Sequence, residues 1–432
     1  MKSTSGISGY NVGVIRNYAA LFCAASLAST AVWADVGTRD RYFTRYPFDT
    51  WQKDGEHSQI HWYTRVLPAH LSDHQRLTAR IQIEIDAKEV AKRRGRGQLV
   101  TLLQIEDESG QQWRQHNSFS LSTIPPGVKP HSLLYSQDVF VLPGDYTISL
   151  AACDSRSSDY SFRRKSLHVA PLHGDPLPEA WRDLPAVEFV VPFGAPDFWF
   201  QPYVRGRLRL PIQSSRPVHV DVMMNMTPSE RQAGSMGVFR RNMSILVPAL
   251  KLLSALDIAA GSLDVTLLDL ARRKSWEQKD ARGLDWVTMR APFADNKPGV
   301  IDAQSLAAKG EMAQFFRDQV AERLHSRGGE ESRRVVIVLS APVFLEHQYK
   351  VSPPDFPRDP DSKIFYLRYR PTAPMRPVFT AFDQGPRPPA MSIPNDDLEH
   401  ALKAMEPHVF SAGTPGDFRK AVSSMLAEIA RM

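Results

Sequence analysis

One stretch constrains the fold of this chain more than any other. A short apolar run at 218–224 ends in a polar turn in which Asn225, Thr227 and Ser229 occupy alternate positions. Over 216–432, similar apolar runs alternate with segments of helical period, a pattern typical of α/β proteins. Open α/β sheets bind ligands at the carboxyl ends of their strands. The pattern therefore predicts a doubly wound α/β sheet with these three polar side chains at its edge.

Other segments of the same half support this prediction. The run at 335–339 is almost wholly apolar, as expected for a central parallel strand, and Ser340 follows it. Residues 310–327 have the apolar spacing of an amphipathic helix. We also predict a strand at 286–289 and a final helix whose capping box begins at Thr414.

The preceding part of the chain, 35–171, has the period of strands. Residues 77–85 alternate apolar and polar side chains, and the runs at 99–105 and 146–153 are bounded by turn residues. Many short strands joined by turns favour an antiparallel, immunoglobulin-like β-sandwich. Cys153 ends one of these runs, and a lone cysteine in a strand is typically a small buried hydrophobe.

The length of 432 residues favours two domains. We expect a signal peptide at 1–34, cleaved before Asp35, because a basic segment, an apolar core and small residues follow one another there. The alternative is that the segment is kept as an uncleaved membrane anchor. The β-sandwich would then occupy 35–171, a Pro- and aromatic-rich connector 172–215, and the α/β domain 216–432. The signal predicts an exported protein, periplasmic or secreted, without an integral membrane span after cleavage.

The turn after residue 224 resembles the first metal loop of von Willebrand factor A-type domains, which reads Asp-x-Ser-x-Ser and holds a divalent cation. Asn225, Thr227 and Ser229 match that loop position by position, with the leading carboxylate replaced by an amide. Ser340 stands where the family usually places a second aspartate. The order of signal, β-rich part and A-type-like part is similar to exported bacterial VWFA-related proteins.

The resemblance implies a ligand site formed by Asn225, Thr227, Ser229 and Ser340, which we call the strand-end rim. Both carboxylates of the family's metal site are missing from it, and a hard cation prefers anionic oxygen. We therefore expect no tight metal and no resident cofactor, with weak Mg²⁺ binding as the open alternative. The alternative is that the turn is structural and its side chains cap backbone groups.

The sequence contains no nucleophile elbow, zinc-protease motif or phosphate loop. The pairs His57/His61 and His70/His74 have helical metal spacing but lie in β-rich surroundings, so we expect solvated histidines. The net charge of +6 is scattered and does not indicate nucleic acid. We predict a non-catalytic binding protein that contacts a protein partner at the cell envelope. The alternative is a cell-envelope hydrolase that uses Ser340.

Overall fold

The computed structural model describes residues 36–95, 97–124, 131–190, 206–229, 236–295, 310–325, 332–345, 361–369 and 396–432. The predicted signal peptide lies outside these residues, and so does the aromatic part of the predicted connector. Export and cleavage before Asp35 stay predictions.

The described residues form helices and strands throughout. The helices are α1 Val36–Arg45, α2 Phe48–Asp54, α3 Ala87–Lys92, α4 Met236–Leu253, α5 Trp286–Asp295, α6 Met312–His325, α7 Asp397–Leu402 and α8 Pro415–Arg431. The strands are β1 His57–Ser58, β2 Trp62–Leu71, β3 Leu77–Ile85, β4 Gln98–Asp107, β5 Gln112–Ser120, β6 Leu133–Val141, β7 Gly144–Asp154, β8 Tyr160–Val169, β9 Val187–Phe189, β10 Leu210–Ile212, β11 Val218–Asn225, β12 Leu256–Ile258, β13 Gly261–Asp269, β14 Lys274–Gln278, β15 Arg333–Ser340, β16 Ser362–Tyr369 and β17 His408–Ala412.

The N-terminal half consists of two antiparallel sheets that share a core. One has the strand order β1-β8-β7-β4-β5 and the other β2-β3-β6-β9. Ile81, Leu103 and Leu150 are fully buried members of that core. Cys153 is buried in a second cluster beside Phe48, as predicted for a small hydrophobe, and burial raises the pKa of its thiol to about 12.

The C-terminal half is built on a six-stranded main sheet with the order β14-β13-β11-β15-β16-β17. Its pairings are parallel except for the antiparallel pair of β13 with β14. Apolar residues of α4 and α8 pack on one face, and residues of α6 and α7 pack on the other. The predicted capping box of α8 is present, with Thr414 and Asp417 bonded reciprocally.

The predicted fold class is wrong for this chain. Strand residues outnumber helical residues in the described ranges, and they are distributed over four sheets. A doubly wound sheet needs a helical crossover between successive parallel strands. Here β14 returns directly after β13 as an antiparallel strand. The chain is therefore mostly β, with one mixed main sheet.

One local prediction also fails. Residues 286–289, expected as a strand, begin helix α5. The run is too short for its period to distinguish the two structures.

The predicted connector 172–215 packs against both halves. Its β9 pairs with β6, and its β10 pairs with β12 of the C-terminal half. One continuous cluster of buried apolar residues runs from the N-terminal sheets through Trp181 and Leu210 to the main sheet. The division into independent domains stays a prediction.

A buried arginine ties the connector to α8. Arg419 donates from Nε and Nη2 to the two carboxylate oxygens of Asp175, at 2.6 and 2.8 Å, and from Nη2 to the carbonyl of Leu177 at 2.7 Å. Its guanidinium lies 4.6 Å from the ring centroid of Trp181, and the residue is 2% exposed. Such a bidentate, desolvated pair positions both partners.

We predict that Arg419→Ala lowers the free energy of unfolding by about 3 kcal/mol, because Asp175 loses its counter-ion in a largely buried place. Arg431→Ala, on the exposed part of the same helix, should change it by less than about 0.5 kcal/mol. Urea unfolding of the full chain measures both. Equal losses in the two variants would show that the ion pair has no special role.

Candidate functional site

The four residues of the predicted strand-end rim lie together. Asn225 is the last residue of β11, and Ser340 is the last residue of β15, the parallel neighbour of β11. The Nδ2 atom of Asn225 donates to the Oγ of Ser340 at 3.0 Å and to the carbonyl of Thr227 at 3.1 Å. Its Oδ1 accepts from the backbone nitrogen of Thr227 at 2.9 Å. Both ends of the amide are therefore used within the turn.

The two hydroxyl groups of the turn bind backbone groups of neighbouring loops. Oγ1 of Thr227 accepts from the backbone nitrogen of Leu270 at 2.7 Å, after β13. Oγ of Ser229 accepts from the nitrogen of Phe344 at 3.0 Å and donates to the carbonyl of Pro342 at 3.2 Å, after β15. The turn thus fixes the segments that follow three adjacent strands.

Sequence reasoning missed two further members of this cluster. Tyr366 on β16 hydrogen-bonds with Ser340 and donates from its hydroxyl to Oδ2 of Asp396 at 2.7 Å. Oδ1 of Asp396 accepts from the backbone nitrogen of Val343 at 3.2 Å. Burial raises the pKa of Asp396. Burial also raises the pKa of Tyr366, well above its usual value. The N-cap position of Asp396 before α7 is the signal that could have revealed it.

The strand-end rim is closed to solvent. Asn225 is 1% exposed, Ser340 is 0% exposed, and Thr227 and Ser229 are also buried. The side chains are hydrogen-bonded to one another or to backbone, which is the capping role expected of a structural turn. The cluster contains one carboxylate, Asp396, already engaged with a hydroxyl and backbone nitrogens.

Ser340 has the surroundings of a structural serine. Its Oγ donates to the carbonyl of Ala341 at 2.6 Å and accepts from Asn225. Among the described residues, no histidine hydrogen-bonds with it. A serine nucleophile needs an adjacent base and access to substrate, and neither is present in the described part of the chain.

A second candidate site lies where the connector meets both halves. A cavity of about 210 Å³, which we call the junction cavity, opens beside a wider groove of about 1240 Å³. The described residues that line the cavity come from the N-terminal sheets, the connector, α4 and the region of α5. They are His74, Gly206, Arg207, Leu208, Pro248, Lys251, Leu252, Ala255, Gly283, Leu284 and Trp286.

The electrostatics of the junction cavity are cationic. Burial lowers the pKa of Lys251 to about 8; Glu188 opposes this shift, and Arg207 and Arg76 add to it. Burial, with smaller effects from Lys251 and Arg76, lowers the pKa of His74 to about 4, so its imidazole is neutral at physiological pH. His74 also packs edge-on against Phe140 at 5.3 Å between ring centroids.

Behind the cavity wall, Arg76 and Glu188 form a buried ion pair. Oε2 of Glu188 also accepts from the backbone nitrogen of Gly206 at 3.2 Å. A Cβ atom at Gly206 would lie 2.7 Å from Leu184 and 3.2 Å from Nη1 of Arg76, so a larger residue would require these side chains to shift. Glu188 therefore connects the buried charge of Arg76 to the backbone that lines the cavity at Gly206.

Among the described residues, neither histidine pair singled out in the sequence belongs to a group of three potential metal ligands. His61 and His70 are exposed, as predicted. The prediction of solvated side chains is wrong for the other two. His57 stacks on Tyr160 at 4.3 Å, and His74 lines the junction cavity.

Within the described ranges, no helix is both long enough and apolar enough to cross a bilayer.

Comparison with known proteins identifies no family for this chain. No protein-family model matches the chain, and no curated protein matches it. Among solved structures, a family 123 glycoside hydrolase from Clostridium perfringens is 9% identical, with a TM-score of 0.17, covering 65% of this chain and 67% of its own. A likeness that weak carries no argument about fold or activity.

We predict that Asn225→Asp lowers the free energy of unfolding by about 3 kcal/mol, because a buried carboxylate would replace an amide that donates two hydrogen bonds. Asn117→Asp, exposed on β5, is the matched control and should change it by less than about 0.5 kcal/mol. Chemical unfolding with and without 1 mM Mg²⁺ measures the effect. Full recovery of the lost stability with Mg²⁺ would contradict the closed-cluster interpretation and reveal a latent cation site.

Proposed function

We propose that this protein is a non-catalytic binding protein whose junction cavity takes a small anionic ligand. The observation that carries the proposal is the pairing of Lys251 and Arg207 on one cavity whose described lining contains no carboxylate. A cavity with a few convergent polar groups and a shifted pKa is the usual form of a small-molecule site.

The depressed pKa of Lys251 supports an anion in particular. Holding an ammonium group in a desolvated place is unfavourable, and the loss of protonation relieves part of that cost. Glu188 already offsets part of that cost, and an anion bound beside Lys251 would offset more of it by adding negative charge. The guanidinium of Arg207 lies at the same opening, where its Nη1 donates to the carbonyl of Arg282 at 2.7 Å.

The apolar side chains of the cavity indicate that the ligand has an apolar part beside its anionic group. Leu208, Leu252, Leu284 and Trp286 provide apolar surface around the two cations. The volume of about 210 Å³ corresponds to about seven water molecules. A carboxylate or a phosphate monoester with a small organic body matches this chemistry. The experiment below distinguishes the two anionic groups.

We predict that Lys251→Met lowers the affinity of the full chain for its anion by at least ~10-fold, because the ligand loses its nearest counter-charge. Titration calorimetry with inorganic phosphate and with benzoate separates the two head groups. Lys420→Met, exposed on α8, is the charge-matched control and should bind like wild type. A wild type that binds neither probe at 10 mM, or equal binding by Lys251→Met, would contradict the proposal.

The pH dependence of binding has a definite sign. Anion binding needs the protonated amine, so affinity should fall as pH rises through about 8. The free energy of unfolding of the ligand-free protein should instead rise with pH. Because the folded pKa lies below the unfolded one, the unfolded chain binds more protons between about pH 8 and the ordinary lysine pKa of about 10.4, and stability rises over that window.

A protein partner at the cell envelope is the second candidate. One observation favours it: the strand-end rim fixes the backbone after β11, β13 and β15, and loops held in this way on a rigid scaffold are common binding surfaces. Ser229→Ala removes the hydroxyl that binds Phe344 and Pro342. Loss of one envelope protein from pull-downs with that variant, but not with exposed Ser122→Ala, would support it; identical pull-downs would count against it.

We keep the resemblance to exported VWFA-related proteins as a hypothesis, because Asn225 and Ser340 contact each other at adjacent strand ends. Intact mass of the protein from the producing cell tests the export that this hypothesis requires, and a chain beginning at Asp35 would support it. Labelling of Ser340 by a fluorophosphonate probe, abolished in Ser340→Ala, would overturn the non-catalytic assignment.

A further inference from the structure

Three carboxylates meet on one face of the main sheet, away from the strand-end rim and the junction cavity. Asp221 on β11 lies opposite Asp264 on β13, and Glu277 on β14 pairs with Thr266 of β13. One oxygen from each of these acids lies within 4.8 Å of the others. We call these three residues the acid cluster.

Thr266 provides an independent sign that a ligand belongs here. It follows Asp264 by two residues on the same strand and lies directly opposite Glu277. Since alternate side chains of a strand leave the same face, the side chain of Thr266 leaves the sheet beside these two carboxylates. The residue is 0% exposed, and its Oγ1 has no hydrogen-bond partner among the described residues. An orphaned buried hydroxyl is unfavourable unless something else satisfies it.

Positive charge lies around the cluster: Glu277 has two direct partners, and Arg323 and Arg334 act on Asp221 at longer range. Arg323 of α6 pairs with Glu277, and Nζ of Lys279 lies 3.7 Å from the same carboxylate. Nη1 of Arg334 on β15 donates to the carbonyl of Leu324 at 2.6 Å.

The other two acids are less well compensated. Asp264 accepts one hydrogen bond, from the backbone nitrogen of Asp280 at 2.9 Å. Within the described residues, Asp221 has neither a hydrogen bond nor an ion pair. Its half-buried carboxylate faces the like charges of Asp264 and Glu277, which Arg323 and Arg334 oppose at longer range.

We propose that Asp221, Asp264, Glu277 and Thr266 bind one divalent cation, with Ca²⁺ as the preferred ion. The candidate ligands are all oxygens, and three are anionic, which is the donor set of hard cations. Two oxygens on one Ca²⁺, each about 2.4 Å from it, are at most about 4.8 Å apart, as these are. The acids are half-buried, so water can complete the coordination shell.

This proposal is independent of the anion site and of the strand-end rim. Arg323 is its principal competitor, because it already balances Glu277. The ion would therefore bind mainly to Asp221 and Asp264, with the hydroxyl of Thr266 and one oxygen of Glu277 added.

The test is calorimetric titration of the EDTA-treated full chain with Ca²⁺, Mn²⁺ and Mg²⁺. Wild type should bind one Ca²⁺ per chain, and Asp264→Asn should bind it at least ~10-fold more weakly. Asp257→Asn removes the same charge from an exposed position of β12 and should bind like wild type. No heat with any ion at 1 mM, or undiminished binding by Asp264→Asn, would overturn the proposal.

Melting temperatures separate ion binding from a structural role of these residues. In EDTA, Asp221→Asn and Thr266→Val should melt at or above the wild-type temperature, since each removes an uncompensated polar group. In 1 mM Ca²⁺, only wild type and Asp257→Asn should gain several degrees. A Ca²⁺-dependent gain in Asp221→Asn equal to that of wild type would contradict the proposed ligand set.

Discussion

Buried arginine charge at the junction of the two halves is the constraint on which this structure depends. Arg419 and Arg76 are each 2% exposed, and each is bound to a carboxylate of the connector, Asp175 and Glu188. Each guanidinium also lies over an aromatic ring. Removing one partner of a buried pair leaves an uncompensated charge, which costs several kcal/mol. The connector is therefore held as a structural layer between the N-terminal sheets and the main sheet, and the junction cavity exists because that layer is fixed.

The main sheet carries two polar clusters that differ in how they are satisfied. At the strand ends, Asn225, Ser340 and their neighbours find hydrogen-bond partners inside the protein, so the cluster is complete without a ligand. On the α6 face, the carboxylate of Asp221 and the hydroxyl of Thr266 have no hydrogen-bond partner among the described residues. The physical criterion for a site is this incompleteness, rather than the residue types alone. By that criterion the acid cluster is the better candidate for a cation, since the side chains of the strand-end rim already have partners.

The sequence was informative where local pattern determines structure. The alternation in the turn and the apolar run before Ser340 correctly placed the four rim residues near one another. Their burial was not predictable, because it depends on Tyr366 and Asp396, which pack from distant parts of the chain. The fold class failed for a related reason: helical period was counted between strands, while the β13–β14 hairpin was not recognised.

The junction cavity was beyond sequence reasoning altogether, since His74, Arg207 and Lys251 meet only after the connector packs. We propose that this cavity binds an anion, and an anomalous diffraction experiment tests this most directly. Crystals of the full chain soaked in selenate or bromide at pH 7 should show a peak in the cavity within hydrogen-bonding or ion-pair reach, about 3–4 Å, of the Lys251 amine. A cavity that stays without such a peak, while other surface cations acquire them, would contradict the account.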